Sequence, residues 1–116
     1  MSVETEGTDT LARSLKEGPG SDVQATGVAA GSLGGPRLGV QSWEVVRDRV
    51  ETALVLPDDA VFEAARALWE GTRLVGEPGA AVAVAALTSG AYVPETGERV
   101  AVLVCGGNAD VEWFVT

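Results

Sequence analysis

Histidine is absent from this chain, and cysteine and lysine occur once each, as Cys105 and Lys16. Without imidazole there is no Ser-His-Asp triad, no histidine zinc site and no histidine proton shuttle. A single cysteine forms no internal disulfide, which suits a reducing compartment and sets the expected location as cytoplasmic. Basic residues are also scarce: 8 face 17 acidic ones, for a formal net charge of -9. Such a field repels phosphate backbones and anionic lipid, so no nucleic acid and no membrane partner is expected. No apolar stretch approaches the roughly 18 residues of a membrane span. The opening MSVETEGTDT has neither the basic region nor the apolar run of a signal peptide.

The 116 residues, 46% of them hydrophobic and 22% charged, suit one globular unit or a piece of a larger one. SVETEG reads as a strand end. An amphipathic helix is expected from Thr8 to about Lys16, with Leu11 and Leu15 inward and Gly18-Pro19-Gly20 as its stop. Six of the fifteen glycines fall in residues 18–36, predicting an irregular loop or a close backbone approach. Pro36 opens a helix to about Val50, with Leu38, Trp43, Val46 and Val50 inward. TALVL (52–56) is a short strand. Asp58 is the expected N-cap of a helix that buries Val61, Ala65, Leu68 and Trp69 and ends at Gly71. GAAVAVAALTSG, apolar on every side, predicts a buried helix ending at Gly90. AYVPETGE is a surface turn, and RVAVLVC a strand covered on both faces. Helices alternating with apolar strands predict an α/β fold with a mostly parallel sheet.

In such sheets ligands gather at the carboxyl ends of strands. RVAVLVCGGN ends its apolar run in Cys105, Gly106 and Gly107. Composition alone allows two readings of Cys105. One is a buried small hydrophobe. The other is a neutral hydrogen-bonding thiol at a ligand edge, beside glycines that let the main chain come close. A nucleophilic thiolate is disfavoured, because nothing basic adjoins Cys105 and there is no histidine base.

Several segments in fixed order, VETEG, GVAAGSLGGPRLG, ALWEGTRLVGEPGAA, GEPGAAVAVAALTSG and ERVAVLVCGGN, resemble the C-terminal part of the pyridoxal-phosphate-dependent serine/threonine dehydratases. That group includes threonine ammonia-lyase and serine racemase and is of fold type II, related to the tryptophan synthase β-chain. The resemblance covers residues 1–116 and implies the C-terminal portion of a large cofactor-binding domain with a three-layer parallel sheet, within which 18–36 is a glycine-rich loop. It implies that Cys105 hydrogen-bonds the pyridine nitrogen of pyridoxal 5'-phosphate, and that Gly106 lets the strand end approach the ring. It implies further that Gly27 packs on one ring face and that Glu77 lies near the substrate; each also has a plainer reading, as a turn glycine and as a helix-start acid. Glu4 with the Thr8 carbonyl matches part of a cation site of some members, but Thr10 stands where the pattern has an aspartate, and solvated surface is the competing reading of Glu4.

The family's cofactor-bonding lysine, in a Ser-Phe-Lys-x-Arg-Gly setting, and its phosphate-holding glycine loop match nothing here. Lys16, in SLKEG, lacks the aromatic and the arginine and reads as a solvated last-turn cation. The expected function is therefore the cofactor-edge portion of a deaminating dehydratase, inactive alone and binding pyridoxal phosphate only when an N-terminal part completes it. Expected partners are such an N-terminal half or further copies of the chain. A truncated gene, a misplaced start and a split enzyme all fit. The rival is a non-enzymatic acidic α/β interaction domain. Since only ADVEWFVT follows the strand-end motif, an amino-acid-sensing regulatory domain is not expected. Apolar faces left without cover predict poor solubility or oligomers.

Overall fold

The computed structural model describes residues 1–112; WFVT lies outside them. Two strands, β1 (Ser2–Thr5) and β2 (Ala53–Leu56), pair in parallel with Ser2 opposite Ala53 and Thr5 opposite Leu56. The long crossover between them carries α1 (Thr10–Glu17), α2 (Ala30–Leu33) and α3 (Val40–Val46). After β2 come α4 (Asp58–Thr72) and α5 (Pro78–Thr88). The parallel pair with helices is the α/β arrangement expected from the alternation of elements.

The core lies where α4 and α5 meet each other and the strands. Val61 and Ala65 of α4 pack with Ala81 and Val82 of α5, and Val3, Val28 and Leu33 close over them. Leu56, Ala64 and Ala85 form a second cluster, again touching Val3. The helix contact is built from alanines, with Ala64, Ala80, Ala81 and Ala85 all fully inaccessible. Small side chains let two helices approach closely, and close packing makes any added methylene costly there. Pro78 at the first turn of α5 suits that position, because its missing N–H would have no helical partner.

Several expectations need correction. The buried stripe of α1 is Thr10, Ala12 and Ser14, while Leu11 and Leu15 are half-buried. The polar members are satisfied at once: Thr10 Oγ1 donates to the Gly35 carbonyl at 2.7 Å, and Ser14 Oγ to the Thr10 carbonyl at 2.7 Å. Helix α3 is shorter than expected and buries nothing, because Gly39 stays extended at φ -65°, ψ 149° and Arg37 pairs with Asp22. The 18–36 loop is not wholly irregular, since α2 lies within it and the Val23 N–H donates to the Pro36 carbonyl to pinch its ends. Pro57, not Asp58, holds the N-cap position of α4. Ala64 takes the buried place expected of Trp69, which is half-buried. The helix passes Gly71 and ends at Arg73 in the left-handed region, φ 62°.

The largest departure concerns residues 99–105. They form no strand of the sheet, and they are not covered on both faces. Ala101, Leu103 and Cys105 are exposed while Val102 and Val104 are half-buried. That period of two is the side-chain pattern of a strand, but among the described residues no neighbouring strand pairs with it.

Candidate functional site

The carboxyl end of the 99–105 run meets the start of α5. The Glu77 N–H donates to the Gly106 carbonyl at 3.0 Å, which fixes Gly106 against the residue that opens the helix. Glu77 sits in an extended N-cap conformation (φ -66°, ψ 165°), and its carbonyl accepts from Ala80 and Ala81. Its carboxylate caps no helix N–H; it lies over Gly106 instead. A Cβ on Gly106 would collide with Glu77 Oε1 and Cδ. A Cβ on Gly107 would stand 3.2 Å from the Val75 carbonyl. Both glycines thus lie close against residues 75–77: a side chain at 106 would displace the Glu77 carboxylate, and one at 107 would press on the Val75 carbonyl.

Glu77, Asn108, Val28, Gly31, Ser32 and Pro78 line a cavity of about 160 Å³. Ser32 ties one wall to another: its hydroxyl accepts the Gly79 N–H at 2.9 Å, across 47 residues of chain. Neither Ser32 nor Asn108 stood out in the sequence as a site residue. The repeated small residues of GSLGGP were the available signal for Ser32, since a Cβ on Gly79 would meet its Oγ at 3.0 Å. Cys105 is exposed rather than packed among side chains, and it is not among the residues that line this cavity.

Gly27 takes a left-handed φ of 78°, and a Cβ there would collide with Asp58 Oδ2. It lines a separate cavity of about 300 Å³ with Glu6, Gly7, Thr26 and Asp58. The next residue, Val28, faces the Glu77 cavity and is anchored by its N–H donating to Asp58 Oδ2 at 2.9 Å. Asp58, expected as a cap, thus holds the glycine turn in place.

Glu4 and Thr8 are engaged elsewhere. The two carboxylate oxygens of Glu4 accept the Leu11 and Ala12 N–H groups at 2.8 and 2.7 Å, at the start of α1. Burial, partly offset by those two donors, raises its pKa above the usual carboxylate range, and Asp9 adds to the rise. The Thr8 hydroxyl pairs with that of Thr5 at 2.8 Å. No three histidine, cysteine or carboxylate groups converge as a metal site among the described residues. Lys16 is exposed in the last turn of α1.

Comparison with known proteins places this geometry. The profile of the family described as pyridoxal-phosphate dependent enzyme matches residues 1–106. The chain belongs to that family. It is 35% identical over 114 residues to the phenylserine dehydratase of Ralstonia pickettii, covering 98% of this chain and 35% of that one. With the L-threonine ammonia-lyase of Geobacter sulfurreducens the identity is 31%, covering 97% of this chain and 28% of the relative. The crystal structure of the T.th. threonine deaminase superposes with a TM-score of 0.79 at 34% identity, over 93% of this chain and 39% of that one. The chain thus spans about a third of the length of the relatives it matches, and the fold is that of the fold-type-II pyridoxal-phosphate enzymes. Among the described residues no helix is long and apolar enough to cross a membrane.

The residues present fit one edge of the family's cofactor. An exposed thiol followed by two side-chain-free positions can meet a ring edge, and a side chain at 106 would collide with the Glu77 carboxylate. The sole lysine, on α1, is in neither cavity wall.

Proposed function

We propose that this chain is the cofactor-edge third of a pyridoxal-phosphate-dependent dehydratase that converts a β-hydroxy amino acid to a 2-oxo acid and ammonia. The observation that carries the reading is the exposed Cys105 directly before a glycine held on Glu77. Phenylserine and threonine, after which two of its relatives are named, share a β-hydroxyl next to the amino-bearing carbon, and that class is the proposed substrate.

When bound, the cofactor supplies an electron sink that makes the α-proton removable. Cys105 Sγ would hold the ring nitrogen by a hydrogen bond, without bringing the carboxylate that would stabilise a proton there. Gly106 and Gly107 keep the strand end close to the ring. Gly27 forms the turn that presents Val28 toward the site, and Asp58 locks that turn. Glu77 lies at the substrate side, where its carboxylate bounds the cavity. Glu4 secures the start of α1 and is proposed to hold no metal. The covalent lysine and the phosphate loop come from the remainder of the longer enzyme.

The test supplies the chain with pyridoxal phosphate and L-threonine, alone and together with the part of the Ralstonia pickettii dehydratase that lies outside the match. No 2-oxobutanoate is expected from the chain alone, and both 2-oxobutanoate and the yellow absorption of lysine-bound cofactor are expected from the pair. Turnover by the chain alone, or a colourless pair without turnover, overturns the proposal. The second outcome favours an acidic interaction domain that keeps only the fold.

A further inference from the structure

The first N–H groups of a helix have no partner within it, and those of α5 can be followed donor by donor. The Glu77 N–H goes to the Gly106 carbonyl, and Pro78 has none to give. The Ala80 and Ala81 N–H groups both reach the Glu77 carbonyl, at 2.9 and 2.8 Å. Gly79 is the first-turn donor left for a side chain. An N-cap side chain ordinarily takes the N–H at this second helical position. Glu77 holds the N-cap place, and its negative charge would also gain from the positive end of the helix. Yet Gly79 donates to Ser32 Oγ of α2 instead, at 2.9 Å. Its neighbours hold Ser32 there. Leu33 packs on the cluster of Val61, Ala65, Ala81 and Val82, which seats α2 against α5. The Ser32 hydroxyl donates to the Ala29 carbonyl at 3.4 Å and so turns a lone pair to Gly79. A Cβ on Gly79 would stand 3.0 Å from Ser32 Oγ and 3.2 Å from Leu33 Cδ2, so glycine at 79 is what admits the serine.

We propose that Ser32 is a positioning residue: by capping α5 from another segment, it releases the Glu77 carboxylate to stand over Gly106. With Ser32 in place, the first turn of α5 offers that carboxylate no N–H. It stays on the wall of the cavity of about 160 Å³ that Ser32 and Glu77 both line. Without the Ser32 hydroxyl, the Gly79 N–H is vacant within reach of Glu77. The carboxylate then swings to the helix end, where the donor and the dipole both favour it. A single hydroxyl in the 18–36 loop thus sets where the acid stands. That Glu77 serves the substrate side rests on the function proposed above; the choice between its two positions does not.

The experiment reads amide hydrogen exchange at Gly79 in the full chain, without cofactor, for the wild type, Ser32→Ala, Glu77→Ala and the double variant. Glu77→Ala should leave Gly79 as protected as in the wild type. Ser32→Ala should keep most of that protection, because Glu77 takes over the donor. The double variant should exchange about fivefold faster or more than either single one, the effect of one lost hydrogen bond. Full loss of protection in Ser32→Ala, with nothing further in the double variant, overturns the proposal. Loss in Glu77→Ala alone overturns it too. Gly106→Ala gives a second readout, since its methyl meets the carboxylate only where that group now stands. Its penalty in melting temperature should shrink when Ser32→Ala is added; an equal penalty overturns the proposal. In the completed enzyme, Ser32→Ala should lower L-threonine turnover toward that of Glu77→Ala, and the double variant should lose no more. If the exchange pattern holds while Glu77→Ala leaves turnover intact, only the substrate-side reading of Glu77 falls. If the enzyme turns over but Gly79 shows no coupling, the positioning role falls and the proposed function stands.

Discussion

At the scale of single residues, Cys105 and Gly106 do different things at one place. On the proposed reading Cys105 is the partner of a ring nitrogen, while the lack of a side chain at Gly106 leaves room for the Glu77 carboxylate. Removing one neutral hydrogen bond costs about 1 kcal/mol, roughly a fivefold effect. Cys105→Ala in the completed enzyme should therefore weaken cofactor binding by about that factor, read by titration of the visible absorption, and Cys105→Ser should restore it. Gly106→Ala is expected to act through the displaced carboxylate, so its effect on cofactor affinity should shrink in a Glu77→Ala background. A double-mutant cycle would then show coupling of about 0.5–3 kcal/mol; strict additivity would mean that the two residues act apart. Gly27→Ala meets both a left-handed φ and Asp58, so it should destabilise by about 1 kcal/mol or more, measured by denaturant unfolding.

At the scale of elements, α1 is held by a carboxylate from β1. Glu4 bonds the Leu11 and Ala12 N–H groups, and Glu4→Ala should cost about 1–2 kcal/mol by leaving them without that partner. Because burial raises the Glu4 pKa, the folded state binds its proton more tightly than the unfolded chain does. The Glu4 contribution is thus most favourable below the unfolded value and declines as pH rises through the folded one. Glu4→Gln should flatten that part of the stability profile in thermal melts across mildly acidic pH, and an unchanged slope would show that Glu4 is not its source. This hold was hidden from the sequence, because the donors lie 7 and 8 residues away on another element. Elements read from strong local patterns fared better. The all-apolar α5 and the TALVL strand stand where expected, within a residue or two, because burial on all sides leaves a run of apolar residues few alternatives. Helix α3 was overextended, since Pro36 suits a helix start but the extended Gly39 sets the actual one. The 99–105 run has the composition of a buried strand without its neighbours, and composition records burial in the whole fold rather than in one segment of it. Close approach of Gly106 to Glu77 was equally illegible, for it joins residues 29 positions apart through a backbone hydrogen bond.

At the scale of the whole molecule, a two-stranded parallel pair with an unpaired apolar run beside it is a sheet with a gap. Val100, Leu103 and Met1 border that gap with 37%, 76% and 51% of their surface exposed. Exposed strand edges and apolar patches favour association, so the chain alone should elute as oligomers or precipitate despite its charge, and the completing segment should render it monodisperse. A sharp monomer with a cooperative melt would contradict the need for completion. The central claim is that Cys105 meets the cofactor's ring nitrogen. Nitrogen magnetic resonance of the completed enzyme, loaded with pyridoxal phosphate labelled at that nitrogen, measures the ring's protonation directly. The expected result is an unprotonated nitrogen with Cys105 and a shift toward the protonated form in Cys105→Asp, where the new carboxylate would stabilise the proton. A nitrogen signal that Cys105→Asp leaves in place, in a variant that still binds the cofactor, would contradict the claim.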